Sequence, residues 1–153
     1  MQLSAHLSVA EYIKSDTAKR KQISNEMTPA HLENAKILAA KIFEPIRVHF
    51  GKPIYLSSGY RSEALNTAVG GSLTSHHCMA FAMDLDQDGR GTGVTNRMVF
   101  DFIKANLNFD QLIWEFGTDK NPDWVHVSYV GAGNRKQVLK AVKSGNSTKY
   151  IPY

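Results

Sequence analysis

Three side chains able to ligate a metal stand at the edges of apolar runs: His77, Asp84 and His126. His77 lies in "TSHHCMAFAMDLD", Thr74 to Asp86, where two histidines and the lone cysteine precede an apolar stretch that closes on two carboxylates. Strand periodicity puts Ala80, Ala82, Asp84 and Asp86 on one face and Phe81, Met83 and Leu85 on the other. The large residues then build a core, and Asp84 looks out over small ones. In "WVHVSYV" the same alternation separates Val125, Val127 and Tyr129 from Trp124, His126 and Ser128. If these two strands are neighbours, Asp84 and His126 converge, and His77 enters from the loop before the first strand. Burying a carboxylate is costly unless a cation or hydrogen-bond donors compensate it. Two imidazoles and a carboxylate form a catalytic zinc set with one position left open, and zinc lowers the pKa of a bound water to about 7. The spacing alone favours surface histidines and a solvated aspartate over a metal site, because a histidine and an aspartate seven apart often occur by chance.

The elements that must position these groups follow from the patterning. Thr28 is an N-cap with Pro29 at the first helical position, and Leu32, Ala35, Ala39, Ile42, Ile46 and Phe50 recur at helical intervals. Pro45 is expected to kink or divide this helix. A short helix is expected around Ser8 to Ser15, and "KPIYLSSGYRS" reads as a strand ending in a Ser-Gly turn before a short helix over "EALNTAV". A Gly-rich loop, "DQDGRGTG", precedes a second amphipathic helix over "TNRMVFDFIKANL". "DQLIWEF" and "WVHVSYV" are strand-like, and "KQVLKAVKSGNSTKY" reads as a hairpin turning at Ser144 to Asn146. Helices first and strands later predict an α+β fold with a mainly antiparallel sheet. One domain is expected over residues 1–153, helical to about residue 50, with the sheet and metal site after it.

The stretch "SGYRSEALNTAVGGSLTSHHCMAFAMDLD", followed by "DWVHVS", resembles the zinc D-Ala-D-Ala metallopeptidases: the VanX- and VanY-like carboxypeptidases and phage cell-wall endopeptidases, which share the hedgehog-type fold. The matching positions are Ser58 to Arg61, Asn66, Gly70 to Ser72, Ser75, His77, Asp84, Asp123 and His126, in the family's order over about Ser57 to Ser128. The resemblance implies that His77, Asp84 and His126 ligate Zn2+, and that Asp123 is the general base and acid. It also implies that Arg61 stabilises the oxyanion and that Ser75 binds substrate or orients a ligand. Asp123 is three residues before His126, so an ideal strand would turn it the other way, and Pro122 is the feature that lets it curl back. Competing roles are a surface ion pair for Arg61 and a turn position for Asp123. Tyr60 and Glu115 are candidates for supporting groups, Asp86 orients a ligand or is solvated, and His76 is an exposed neighbour of the ligand. The family's usual Gly three residues after the first histidine is Ala80 here, which is tolerable unless the backbone requires positive φ.

The expected function is a zinc-dependent peptidase hydrolysing an amide bond of the peptidoglycan stem peptide, as a D,D-carboxypeptidase or an L-Ala-D-Glu endopeptidase, with a phage endolysin as one setting. The alternative is a non-catalytic, zinc-containing hedgehog-like binding module. Composition narrows the field in the same direction. In 153 residues there is no apolar run near the roughly twenty residues a membrane helix needs. The net charge of +4 would suit a polyanion, but the one tight basic cluster, Lys19 to Gln22, has no interleaved aromatics, so nucleic acid is not an expected partner. A single cysteine, Cys78, leaves no intramolecular disulfide. The opening residues carry no recognisable secretory signal. The expectation is a monomer acting at the bacterial cell wall or periplasm, reached in the phage case through a membrane lesion.

Overall fold

The computed structural model describes residues 1–153. A two-stranded ribbon, β1 (Gln2–Ser4) and β2 (Leu7–Ser8), leads into α1 (Val9–Ile13) and α2 (Asp16–Lys21). Ser8 and Glu11 close a reciprocal capping box at the start of α1: the Ser8 hydroxyl accepts from the Glu11 amide, and the Glu11 carboxylate accepts from the Ser8 amide. The long helix starts at the expected cap, with the Thr28 hydroxyl accepting from the His31 amide at 3.1 Å, and runs as α3 (Pro29–Leu38). The α-helix is divided ahead of Pro45, as expected, and Pro45 stands in the first turn of the segment that follows. Between the two, the chain widens into a π turn over Ala39–Phe43, in which the Glu44 amide donates to the Ala39 carbonyl, and resumes as α4 (Glu44–Phe50). A proline ring collides with the carbonyl four residues back, and the wider turn moves that carbonyl aside.

β3 (Leu56–Ser58), α5 (Glu63–Ala68) and a 3-10 turn (His76–Met79) precede β4 (Ala82–Leu85). Then come α6 (Asn96–Asn106), β5 (Gln111–Glu115), β6 (Trp124–Ser128) and the hairpin β7 (Gln137–Ser144) and β8 (Ser147–Pro152). The main sheet is ordered β3-β4-β6-β5-β7-β8. Every pairing is antiparallel except β5 with β7. The fold is α+β with a mostly antiparallel sheet. No helix is long and apolar enough to cross a membrane.

One face of the sheet is the core. Met83 and Leu85 from β4, Val125 and Val127 from β6, and Leu112 and Trp114 from β5 pack in one buried cluster with Leu38, Ile42, Ile46, Phe100 and Ile103 of the helices. Each fully buried side chain of this size contributes about 1.5–3 kcal/mol, so this face fixes which side chains the opposite face presents. The N-terminal helices thus pack behind the sheet. They also reach its edge, where the fully buried Tyr12 donates its hydroxyl to the Ala82 carbonyl at 2.8 Å and accepts the Tyr60 amide at its own carbonyl at 3.0 Å.

The expected alternation over residues 80–86 holds only within β4. Ala80 lies before the strand at φ +59°, capping the 3-10 turn in the left-handed region, and its methyl belongs to the core cluster. Phe81 is only partly buried and packs edge-on to His76, with the ring centroids 6.2 Å apart. The 3-10 turn and its cap make the strand begin two residues later than the sequence pattern implies.

Candidate metal centre

The antiparallel register places Asp84 of β4 directly opposite His126 of β6. Opposed residues share a face, so the two side chains meet on the side of the sheet away from the core. The Nδ1 of His126 lies 3.0 Å from Asp84 Oδ1. His77 comes from the 3-10 turn, not from a strand, and its Nε2 lies 3.4 Å from Asp84 Oδ2. One ligand atom from each of His77, Asp84 and His126 falls within 4.8 Å of the others.

The turn holds His77 in one tautomer. Its Nδ1 is 2.6 Å from the carbonyl of Gly59; a carbonyl only accepts, so Nδ1 carries the proton and Nε2 offers its lone pair to the cluster. Such a backbone partner behind a histidine is the usual way a metal ligand is oriented. Ser75 caps the same turn, its hydroxyl accepting from the His77 amide at 3.2 Å. Burial drives Asp84 towards its neutral form, but the two imidazoles reverse this and hold its carboxyl well below the usual carboxylate range. An ionised acid between two neutral-capable imidazoles, all partly or fully enclosed, suits a divalent cation of borderline softness: the donor set of two nitrogens and one oxygen is that of catalytic zinc sites.

Arg61 borders the cluster. Its Nη2 is 3.7 Å from Asp84 Oδ2, its Nη1 donates to Asn66 Oδ1 at 3.2 Å, and its Nε donates to Ser58 Oγ at 3.4 Å. The buried Asn66 also donates to the Ser72 carbonyl at 2.8 Å, tying the Gly70 to Ser72 turn to the guanidinium. The Arg61 ion pair is therefore with a cluster residue and not with a surface acid.

These groups open onto a cleft of about 850 Å³ that includes Arg61, Ser75, His77, Asp84 and His126 in its lining. A second depression of about 560 Å³ adjoins it, bordered by β3 and α1, and Arg61 lines both. Asp123 is not brought to the cluster. Its side chain is exposed and outside the cleft lining, while its amide donates to the Glu115 carbonyl at 2.9 Å and its carbonyl accepts from Asn96 at 3.0 Å. Asp86 is likewise engaged elsewhere, accepting from Asn96 Nδ2 at 3.0 Å and from the Asp88 amide at 3.1 Å. His76 is half-buried in the cleft wall, not exposed, and 3.9 Å from Asp110. Burial raises the Cys78 thiol, with Arg61 opposing, which keeps it protonated and a poor ligand at neutral pH.

Glu115 occupies the cleft instead. It is 6% exposed, and burial pushes its pKa up to about 7, with His126 opposing and Asp84 adding to the rise. Glu115, a candidate supporting group from the sequence, reaches the cleft through the alternation of "QLIWE": Leu112 and Trp114 belong to the core, so Gln111, Ile113 and Glu115 face the other way. The far wall is built by the C-terminal hairpin, with Leu139 of β7 and Tyr150 of β8 among its residues.

A sheet of this order carries on its open face a histidine, aspartate, histidine cluster able to hold a metal ion, with an arginine beside it. The peptidase M15 family model matches residues 5–128. The chain belongs to the peptidase M15 family. No curated protein matches it significantly. The hairpin β7–β8 lies beyond the matched residues.

Proposed function

We propose that this metallopeptidase is zinc-dependent and hydrolyses an amide bond in the stem peptide of bacterial peptidoglycan. The observation that carries the reading is the convergence of three ligand atoms within 4.8 Å beneath an open cleft, with the Arg61 guanidinium 3.7 Å from the central carboxylate. His77, Asp84 and His126 would hold the ion. When bound, zinc polarises a carbonyl and acidifies water at neutral pH. Arg61, fixed by Asn66 and Ser58, presents a permanent cation to the oxyanion that forms as the scissile carbonyl is attacked. Ser75, at the cleft lip, takes a hydrogen bond from substrate in addition to capping its turn. The two depressions that meet at Arg61 suit an extended peptide with residues on both sides of the cleaved bond. The bond is the terminal D-Ala linkage or the L-Ala to D-Glu linkage. The domain works as a monomer at the cell wall or periplasm, in the manner of a phage lysis enzyme.

The test is incubation of the zinc-loaded protein with purified peptidoglycan and mass spectrometry of the released fragments, with a chelator-stripped sample, a zinc-restored sample and His126→Ala alongside. Free D-Ala or new D-Glu amino termini, lost on stripping and in the variant and regained on restoration, are expected and name the bond. Full zinc occupancy with no product from several wall chemistries would replace the reading with a zinc-containing binding module.

A further inference from the structure

The cleft contains a carboxylate that the metal cluster does not use. Glu115 ends β5, where Ile113 is opposite His126 and Glu115 is opposite Trp124. Side chains two apart share a face, so Glu115, Trp124, His126 and, through the β4 pairing, Asp84 all project into the cleft. The Glu115 side chain makes no hydrogen bond and no ion pair within the chain; the residue is 6% exposed, and its carboxylate meets solvent only where it lines the cleft. A largely buried acid held without a protein partner at the wall of a cleft, beside a cluster of this kind, points to work done there.

Its placement relative to Arg61 is the second observation. In the strand order β3-β4-β6-β5, the ligands Asp84 and His126 occupy the two central strands. Arg61 follows β3 on one side of them and Glu115 closes β5 on the other. A cation for developing negative charge and a carboxylate for a proton thus flank the cluster from opposite sides. Asp123, the residue to which the family resemblance assigns proton transfer, is exposed and outside the cleft lining.

We propose that Glu115, not Asp123, is the catalytic carboxylate of the hydrolysis; this rests on the peptidase reading above. Water adds to the scissile carbonyl carbon, its proton passes to Glu115, and the carbonyl π pair moves onto oxygen, facing Arg61. The pair then returns, the C–N bond breaks, and the proton on Glu115 goes to the leaving nitrogen. The products are a carboxylic acid and an amine, and Glu115 is regenerated ionised.

Two measurements decide the matter. In steady-state hydrolysis of soluble peptidoglycan fragments by the zinc-loaded proteins, Glu115→Gln is expected to lower kcat by roughly 10²- to 10⁴-fold, with zinc content and KM unchanged. Asp123→Asn discriminates, keeping the wild-type kcat if Glu115 carries the proton and losing it by that factor if Asp123 does. The second measurement needs no turnover and no variant: carboxyl-labelled wild-type protein loaded with cobalt(II) is examined by carbon NMR. The Glu115 carboxyl is expected to be strongly shifted or broadened and that of Asp123 far less. The reverse order, or equal effects, overturns the proposal. If the zinc-loaded wild type hydrolyses nothing while Glu115 alone shows the paramagnetic effect, the peptidase reading fails and the placement of Glu115 at the metal stands.

Discussion

The imidazole Nδ1 of His77 lies 2.6 Å from the carbonyl of Gly59, so the turn that follows β3 holds a ligand belonging to a segment eighteen residues away. The same turn carries Arg61, whose amide donates to the His77 carbonyl at 3.2 Å. Gly59 itself has no room for a side chain: a Cβ there would overlap the Tyr12 carbonyl and come within 2.6 Å of the Tyr12 ring.

Gly59→Ala is therefore expected to push the turn away from α1 and to displace the carbonyl that orients His77. The overpacking costs about 1–3 kcal/mol, and loss of an outer partner of a metal ligand lowers affinity roughly 10- to 100-fold. Urea unfolding of the metal-free protein and a zinc competition titration measure the two effects separately. Wild-type zinc affinity in a destabilised variant would show that the Gly59 carbonyl does not orient the ligand.

Ala80 sits at φ +59° where the backbone favours glycine. Left-handed geometry costs a non-glycine residue roughly 1–2 kcal/mol, while burial of its methyl returns about 0.8 kcal/mol. Ala80→Gly is expected to raise stability by up to about 1 kcal/mol, read as a higher urea midpoint at unchanged slope. An unchanged or lower midpoint would mean that the methyl's packing outweighs the strain.

Glu115 has its pKa raised to about 7 from an ordinary 4.5, because burial favours the neutral acid. The neutral form fits the fold, so its contribution to stability is complete below pH 4.5 and is lost as the pH rises through about 7. Metal-free Glu115→Gln is expected to match the wild type near pH 4 and to exceed it at pH 8 by on the order of 3 kcal/mol. Urea unfolding of both metal-free proteins across this range checks it, and a difference independent of pH would place Glu115 in contact with water.

Much of the centre was legible from residue spacing because β-structure has a strict period. Asp84 and His126 each stood opposite large apolar residues, and once the two strands pair, their convergence follows. The limits of legibility are local. Ala80 is part of the apparent alternation, yet the 3-10 turn that delivers His77 ends there, and turns of four residues leave no periodic trace. Asp123 matches a linear motif, but the hydrogen bonds of its backbone to Glu115 and Asn96 leave its side chain outside the cleft. Glu115 was visible as the polar end of an apolar strand. Its importance depends on β5 lying beside β6, a pairing that no spacing within either strand reveals. The π turn before Pro45 is similar, since the sequence shows the obstacle and only the packed helix shows how it is passed.

The hairpin β7–β8 hydrogen-bonds to the rest of the sheet through β5 alone, whereas the ligand residues stand on β4, β6 and the 3-10 turn. Leu139 and Tyr150 nevertheless form the far bank of the cleft. The metal-ligating cluster and the far bank of the cleft are thereby built from different stretches of chain, joined at a single ladder. Substitutions along the hairpin can redraw the outline of the cleft without disturbing the register that aligns Asp84 with His126.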